Sequence, residues 1–462
     1  MRIEDDVLRI GNESPDKIAL RMDGASLTYG EVCEQVQSVA HRLHLEGFVP
    51  GQRVALCMAN RIDYLVLVLG IVHAGLIVSP INPRLIAQEQ EALFEELSPV
   101  LMISDGNDGL LRYTVHTEHL HVRDTDSDIF YIGYSSGTTG LPKGIMRRHA
   151  SWVDSFHAMS REFHMDEQAI ILLPGPLCYS ASLIAGLHVL SIGGTVHVHK
   201  TFDAELVRDE LLFGESNTLF MVPTMYRDLI NACGQIHGTA REITLITAGD
   251  KMSTGTKEQL LQRFSGAQLY EYYGTSEVGF ISVLRPMDQG WKPDSVGTAF
   301  DDAKVVCRDG EVFVNSTMGF CRYAGVGSPS ITHVIDGQDG WLSTGDLGWI
   351  DEDKFLYLSG RRHEKMVRAG INVYPREIER ALERHPDIVE VAAFAVHDER
   401  SGEVPVVAYV TNSGNDLDLV PFLREHLSAY KRPVFWWRKD VLPRNAAGKV
   451  RKMDLREEYM LL

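Results

Sequence analysis

The strongest constraint on this chain is a rhythm. Short apolar runs recur through its first 285 residues or so: Ile18-Ala19-Leu20, Val54-Ala55-Leu56, Leu76-Ile77-Val78, Leu101-Met102-Ile103, and then 169–173, 194–199, 219–222 and 243–248. Between them lie longer stretches with helical patterning. Runs this short, bounded by turn residues and alternating with helices, predict an α/β domain built on mostly parallel sheets. Local signals agree. Thr28 with Glu31 three residues on forms a capping-box pattern that starts a helix. Tyr64 to His73 is apolar enough for a buried helix, with Gly75 as its stop. The most apolar stretch, 64–80, is broken by Gly70, His73 and Gly75, so it reads as buried helix and strand rather than a membrane span.

After about residue 285 the pattern changes. Lys304 to Cys307, Glu311 to Asn315, Leu347 to Ile350 and Phe355 to Leu358 are short β-runs with turn signals, which predict a β-rich subdomain, antiparallel or barrel-like. Gly360-Arg361-Arg362-His363 opens a charged stretch and reads as a linker. Beyond it, helices at 375–384 and 419–429 and strands at 389–396 and 404–410 predict a small α+β domain. The expected division is therefore 1–360 and 361–462, in keeping with a length of 462 residues and a prior of ~150 per domain.

Composition narrows the partners. The net charge of −18 argues against nucleic acid or an anionic membrane as the main partner. The acid is unevenly spread: residues 361–462 carry 18 Lys+Arg against 16 Asp+Glu, so the excess lies before them. Six cysteines are scattered without a CxxC pair, and the first residues, Met1-Arg2-Ile3-Glu4-Asp5-Asp6, form no secretory leader. Reduced thiols and a cytoplasmic location are the expectation.

The sharpest local signal is Tyr134-Ser135-Ser136-Gly137-Thr138-Thr139-Gly140-Leu141-Pro142-Lys143-Gly144, following the expected strand 129–132. Its glycines let the backbone turn and present N–H groups to an anion, its hydroxyls add donors, and Lys143 adds charge. It is a phosphate cradle but not a Walker loop, because Pro142 and Gly144 flank the lysine.

This string resembles the signature loop of the adenylate-forming enzymes: acyl- and aryl-CoA ligases, luciferases and the adenylation domains of peptide synthetases. The resemblance runs along nearly the whole chain. Leu27-Thr28-Tyr29-Gly30-Glu31, Pro80-Ile81-Asn82-Pro83, Tyr272-Tyr273-Gly274-Thr275-Ser276-Glu277, Ser343-Thr344-Gly345-Asp346, Gly360-Arg361, Gly370, Pro375-Arg376-Glu377-Ile378-Glu379 and Pro443 to Arg451 follow the family's motifs in order, with Ser276 in place of a usual threonine. It implies a large AMP-binding domain and a mobile C-terminal lid.

The implied reaction has two halves. A carboxylate attacks the α-phosphorus of ATP and expels pyrophosphate; a thiol then takes the acyl group from the adenylate. Two anions meet in the first step, so charge neutralisation governs its rate. Lys449 is the implied mobile cation. Glu277 is a hard oxygen ligand suited to Mg²⁺. Thr139 and Ser276 can donate to the α-phosphate, with Ser135, Ser136, Gly137, Thr138, Gly140 and Lys143 completing the cradle. Tyr272, Tyr273 and Gly274 on one side, and Ala248 with Gly249 on the other, are placed around adenine. Asp346 is placed on the ribose hydroxyls and Arg361 on ribose or phosphate. His363 falls at the hinge position, a departure from the family's usual residue, and Gly370 would let a pantetheine arm pass.

The acid and the acceptor stay open. Tyr179 falls where many acyl-CoA ligases have histidine, and Val222 is a second candidate for the acid pocket. No acidic residue occurs between Gln168 and Asp203, which argues against an amino-acid substrate. Fatty, short-chain and aryl acids remain. The acceptor is either coenzyme A or the phosphopantetheine of an acyl or aryl carrier protein. A degenerate nucleotide-binding relative is disfavoured, since Lys449, Glu277 and Asp346 are all present.

Overall fold

The alternation of strands and helices becomes, in a computed structural model of the chain, two large mixed sheets with helices packed on them. The structure describes residues 1–462 other than 86, 107, 109, 136–142, 235–239, 325–339, 365, 369–370, 399–401 and 446–447, and other than the side chains of Ser135, His363, Val367, Ile371, Asn372, Gly402 and Tyr430. Packing divides it into two units. The first comprises 1–293, 297–304 and 314–342; the second comprises 294–296, 305–313 and 343–462.

In the first unit, one sheet has nine strands in the order Thr298–Ala299, Gly279–Leu284, Ala267–Thr275, Ile243–Thr247, Thr218–Met221, Ile170–Leu173, Thr195–Val198, Ile18–Met22 and Ala25–Thr28. Its strands from Ala267–Thr275 through Ile18–Met22 run parallel, and antiparallel strands close both flanks. The other has seven, in the order Arg322–Tyr323, Lys143–Arg148, Ile129–Ser135, Ile77–Pro80, Arg53–Cys57, Leu101–Asp105 and Leu111–Val115. The helix Tyr64–His73 is buried from Tyr64 through Val72, and the helix Ser180–Ser191 from Ser182 onward. Helices apolar on every side must be covered on every side, and these two lie against each other in the interior. Among the described residues no helix is long and apolar enough to cross a membrane.

The early motif has a structural meaning. Thr28 caps the helix Tyr29–Leu45 with the full capping box: its Oγ1 accepts from the Glu31 N–H at 3.2 Å, and Glu31 Oε2 accepts from the Thr28 N–H at 2.8 Å. Tyr29 is fully buried, and its hydroxyl lies 2.9 Å from Leu190 O and 2.7 Å from Gly194 O. The phenol's single proton thus lies between two carbonyls, one in the last turn of the interior helix and one just beyond it.

The β-rich expectation after 285 is met by a four-stranded sheet, Ala303–Arg308, Glu311–Ser316, Leu342–Ile350 and Leu356–Arg361, whose last two strands are antiparallel. The segment read as a linker is ordered at its start. Gly360 pairs with Leu347 and Arg361 with Asp346, so both are strand residues of the second unit. Further on, the strands Ile388–Asp398 and Gly402–Thr411 form a long antiparallel pair. Their period of two sorts the residues. Ala393, Val407 and Tyr409 face the helices Pro375–Leu382 and Val420–His426, while Phe394, Val406 and Ala408 face Leu455 of the helix Lys452–Met460. The helix expected to reach Ala429 stops at His426, because Leu427 is already extended.

Candidate functional site

Parallel strands leave their carboxyl ends along one edge, and a ligand in an open α/β sheet is met there. Four neighbouring strands of the nine-stranded sheet end among the residues that the motifs single out. Ile170–Leu173 leads to Tyr179, Thr218–Met221 to Val222, Ile243–Thr247 to Ala248 and Gly249, and Ala267–Thr275 carries Tyr272, Tyr273 and Gly274 and leads to Ser276 and Glu277. Register aligns these ends: Met221 pairs with Thr247, and Thr247 with Glu271. Gly249 has φ +93°, a conformation that glycine adopts without strain, and Val222 Cγ1 lies 3.8 Å from where its Cβ would stand. The loops after two strands therefore meet. Thr247 beneath them is fully buried, with Oγ1 unpaired among the described residues.

The two adjacent tyrosines differ. Tyr272 packs in an aromatic cluster, 4.8 Å from Phe280 and 6.3 Å from both Phe220 and Phe163 between ring centroids. Burial pushes its hydroxyl pKa up. Alternation along the strand turns Tyr273 to the other face.

The phosphate cradle itself, Ser136 to Gly140, lies outside the described residues, as does Gly370. Its stem is described. Ile129–Ser135 and Lys143–Arg148 form a hairpin in which Ser135 pairs with Lys143 and Tyr134 with Gly144. Lys143 is exposed, its Nζ 5.5 Å from the Tyr323 ring centroid. The Tyr323 hydroxyl donates to Glu277 Oε1 at 3.2 Å. Cradle stem, Tyr323 and Glu277 thus form one chain of contacts within the first unit. Arg147, two residues beyond the stem's glycine–isoleucine step, is 5% exposed and reaches under this region. It donates to Ser276 O at 2.9 Å, to Ser151 Oγ at 3.3 Å and to Met318 O. Burial pushes its pKa down to about 10, which leaves it charged at neutral pH. A charged residue at an inward strand position was the signal for it in the sequence.

In the second unit, Asp346 is 5% exposed and Arg361 Nε lies 3.2 Å from its Oδ1, across the register pair that joins them. The Thr344 hydroxyl accepts from the Asp346 N–H at 3.1 Å, so the Thr-Gly-Asp turn fixes the backbone at Asp346. Lys449 is exposed and sits on a tight return of the chain. Arg444 and Val450 bridge, Asn445 N–H donates to Lys449 O at 2.8 Å, and Lys449 N–H donates to Asn445 Oδ1 at 2.9 Å. Gly448, at φ +80°, makes the return possible. Arg444 anchors it through Glu390 at 2.7 Å. The backbone of His363 lies in a short 3₁₀ turn, Arg362–Glu364.

Two supports were not visible in the sequence. Asn60 is 6% exposed. Its Nδ2 donates to Gly175 O and His199 O, both at 2.9 Å, and its Oδ1 accepts from the Leu177 N–H at 2.8 Å. It pins the segment that carries Tyr179. Glu271 is 3% exposed. Its Oε2 takes Lys251 and Lys257 Nζ, each at 2.6 Å, and its Oε1 accepts from the Met252 N–H at 2.6 Å. This ties the loop after Gly249 to the strand bearing Tyr272 and Tyr273.

The donor chemistry suits a magnesium nucleotide. Glu277 commits one oxygen to Tyr323 and carries no hydrogen bond on the other among the described residues, which leaves a hard anionic ligand for Mg²⁺.

Comparison with known proteins follows the same outline. The family described as "AMP-binding enzyme" matches residues 8–317, and "AMP-binding enzyme C-terminal domain" matches 377–449. An uncharacterized acyl-CoA ligase of Bacillus subtilis, YhfT, is 28% identical over 96% of this chain and 95% of its own. A putative long chain fatty acid-CoA ligase of Staphylococcus haemolyticus, VraA, is 32% identical over 72% of this chain and 71% of its own. The crystal structure of ATP-bound MatB from Rhodopseudomonas palustris superposes with a TM-score of 0.88 at 24% identity, covering 99% of each chain, and supports the fold.

Proposed function

The chain belongs to the AMP-binding enzyme family and is an AMP-forming ligase, and from that premise we propose that it joins a fatty, short-chain or aryl acid to the thiol of coenzyme A through an acyl-adenylate. One observation carries the reading: Tyr179, Val222, Ala248–Gly249 and Tyr273–Glu277 gather at the carboxyl ends of four neighbouring parallel strands. The names of YhfT and VraA favour coenzyme A over a carrier protein as acceptor.

In this proposal ATP is a substrate held by the loop 135–143 and by Tyr273 with Ala248 and Gly249. Asp346 accepts from its ribose hydroxyls and Arg361 orients that carboxylate. Glu277 would hold Mg²⁺, which when bound would supply charge neutralisation to the nucleotide. The acid's carboxylate oxygen attacks the α-phosphorus, pyrophosphate leaves, and the Lys449 ammonium lowers the repulsion between the two anions. The thiol then attacks the acyl carbon and AMP leaves. Arg147 keeps the turn at Ser276 and Glu277 in place from below. A division into 1–360 and 361–462, with a hinge at His363, belongs to the same proposal.

The test is ATP–pyrophosphate exchange across a panel of acids, followed by thioester formation with coenzyme A or with a phosphopantetheinylated carrier protein. Acid-dependent exchange and a coenzyme A thioester are expected. Exchange with no acid would remove the function, and a thioester on the carrier alone would reassign the acceptor.

A further inference from the structure

Tyr179 stands at the start of the interior helix Ser180–Ser191, and its hydroxyl has a defined polarity. It lies 3.0 Å from Asn82 Nδ2. The amide of Asn82 cannot be turned round, because its Oδ1 accepts from the Arg84 N–H at 2.9 Å; reversal would set an NH₂ against that N–H. Nδ2 therefore donates and the tyrosine oxygen accepts. The phenol's own proton finds no acceptor among the described residues.

This donor is held in place. Asn60 fixes Gly175 and Leu177 just upstream, and the interior helix follows downstream. Burial raises the phenol's pKa, so it keeps its proton at neutral pH. A hydroxyl with one lone pair engaged and its backbone pinned presents a proton in a fixed direction. An unsubstituted alkyl chain laid against it would leave that proton unanswered. A chain or ring bearing an oxo, hydroxyl, ether or heteroaromatic acceptor would answer it, and sites built to hydrogen-bond a substrate discriminate strongly against analogues that lack the partner.

We propose that Tyr179 is a specificity-determining residue, and that the acid this enzyme activates carries a hydrogen-bond acceptor in its acyl chain or ring. The inference rests on the acid-activating function proposed above.

The experiment measures kcat/KM in ATP–pyrophosphate exchange for alkanoic acids and for acids of the same length with one oxo group walked along the chain. The wild type should favour one oxo position by about 10-fold or more over the plain acid. Tyr179→Phe removes only the hydroxyl. It should erase that preference by lowering kcat/KM for the favoured oxo acid about 10-fold more than for the plain acid. Asn82→Asp provides the second arm. A carboxylate only accepts, so the phenol turns its proton to it, and the preference should collapse with the tyrosine still present. A residue acting by packing alone would not respond to Asn82→Asp in this way. The proposal is overturned if the wild type uses plain and oxo acids equally, or if Tyr179→Phe lowers both alike. Absence of exchange with every acid would remove the underlying function, and the inference with it.

Discussion

Replacing Glu271 with glutamine should destabilise the first unit in a way that depends on pH. The carboxylate is 3% exposed and faces two ammonium groups at 2.6 Å each. Burial alone would raise its pKa, but Lys251 and Lys257 outweigh burial and hold it low. Lys251 is pushed down, first by burial and then by Lys257. Glu271→Gln keeps the shape and removes the countercharge, and breaking a buried pair from one side costs about 3–5 kcal/mol. The fold has one escape, the release of a lysine proton. That costs about 1.36 kcal/mol per unit of pH below an unfolded pKa of about 10.4, hence about 4 kcal/mol near pH 7.5 and about 1.2 kcal/mol near pH 9.5. Below the unfolded pKa the variant's folded state would bind fewer protons than its unfolded state, so its stability rises with pH. Relative to wild type, thermal unfolding should fall by about 6–8 °C near pH 7.5 and by about 2 °C near pH 9.5, at roughly 2 °C per kcal/mol for a unit of this size. An equal deficit at both pH values would show that lost packing, not uncompensated charge, sets the cost, and would refute the reasoning.

Three other outcomes are expected. Lys449→Ala, at an exposed position, should leave the melting temperature unchanged and lower pyrophosphate exchange by about 100-fold or more, while sparing thioester formation from supplied acyl-adenylate; intact exchange would remove Lys449 from the first step. Asn60→Ala strips the partner from two buried carbonyls and one N–H, at about 1–3 kcal/mol for each group left unpaired; it should raise the KM for acid more than the KM for ATP, because the loosened segment carries Tyr179. Burial raises the pKa of Glu379, but Lys452 and Arg376 outweigh it and hold the carboxyl below its ordinary value. Such a group contributes stability above the ordinary carboxylate pKa and loses it as pH falls through the folded pKa. Lys452→Met should therefore move acid unfolding of the second unit to higher pH, as followed by circular dichroism.

What the sequence made legible and what it hid divide along a physical line. Strand and helix positions were readable because they depend on near neighbours: the Thr28–Glu31 capping box, the apolar run 64–73 and the alternation at 388–411 each carry their own signal. Val222, Gly249 and Glu277 were named through the family resemblance, and the strand rhythm sets all three just after strands of one sheet. The supports beneath them depend on partners brought together only by topology. Asn60 meets Gly175 and His199 from far away in the chain. Lys251 and Lys257 reach Glu271 because the strand Ile243–Thr247 lies beside Ala267–Thr275, and no spacing of a glutamate and two lysines announces that. Tyr272 and Tyr273 mark the boundary between the two kinds of knowledge. A strand points adjacent residues to opposite faces, so the two tyrosines do not share a face. What covers each face depends on topology: Phe220, two strands away, and Phe280, on the returning strand, pack on the face that Tyr272 takes.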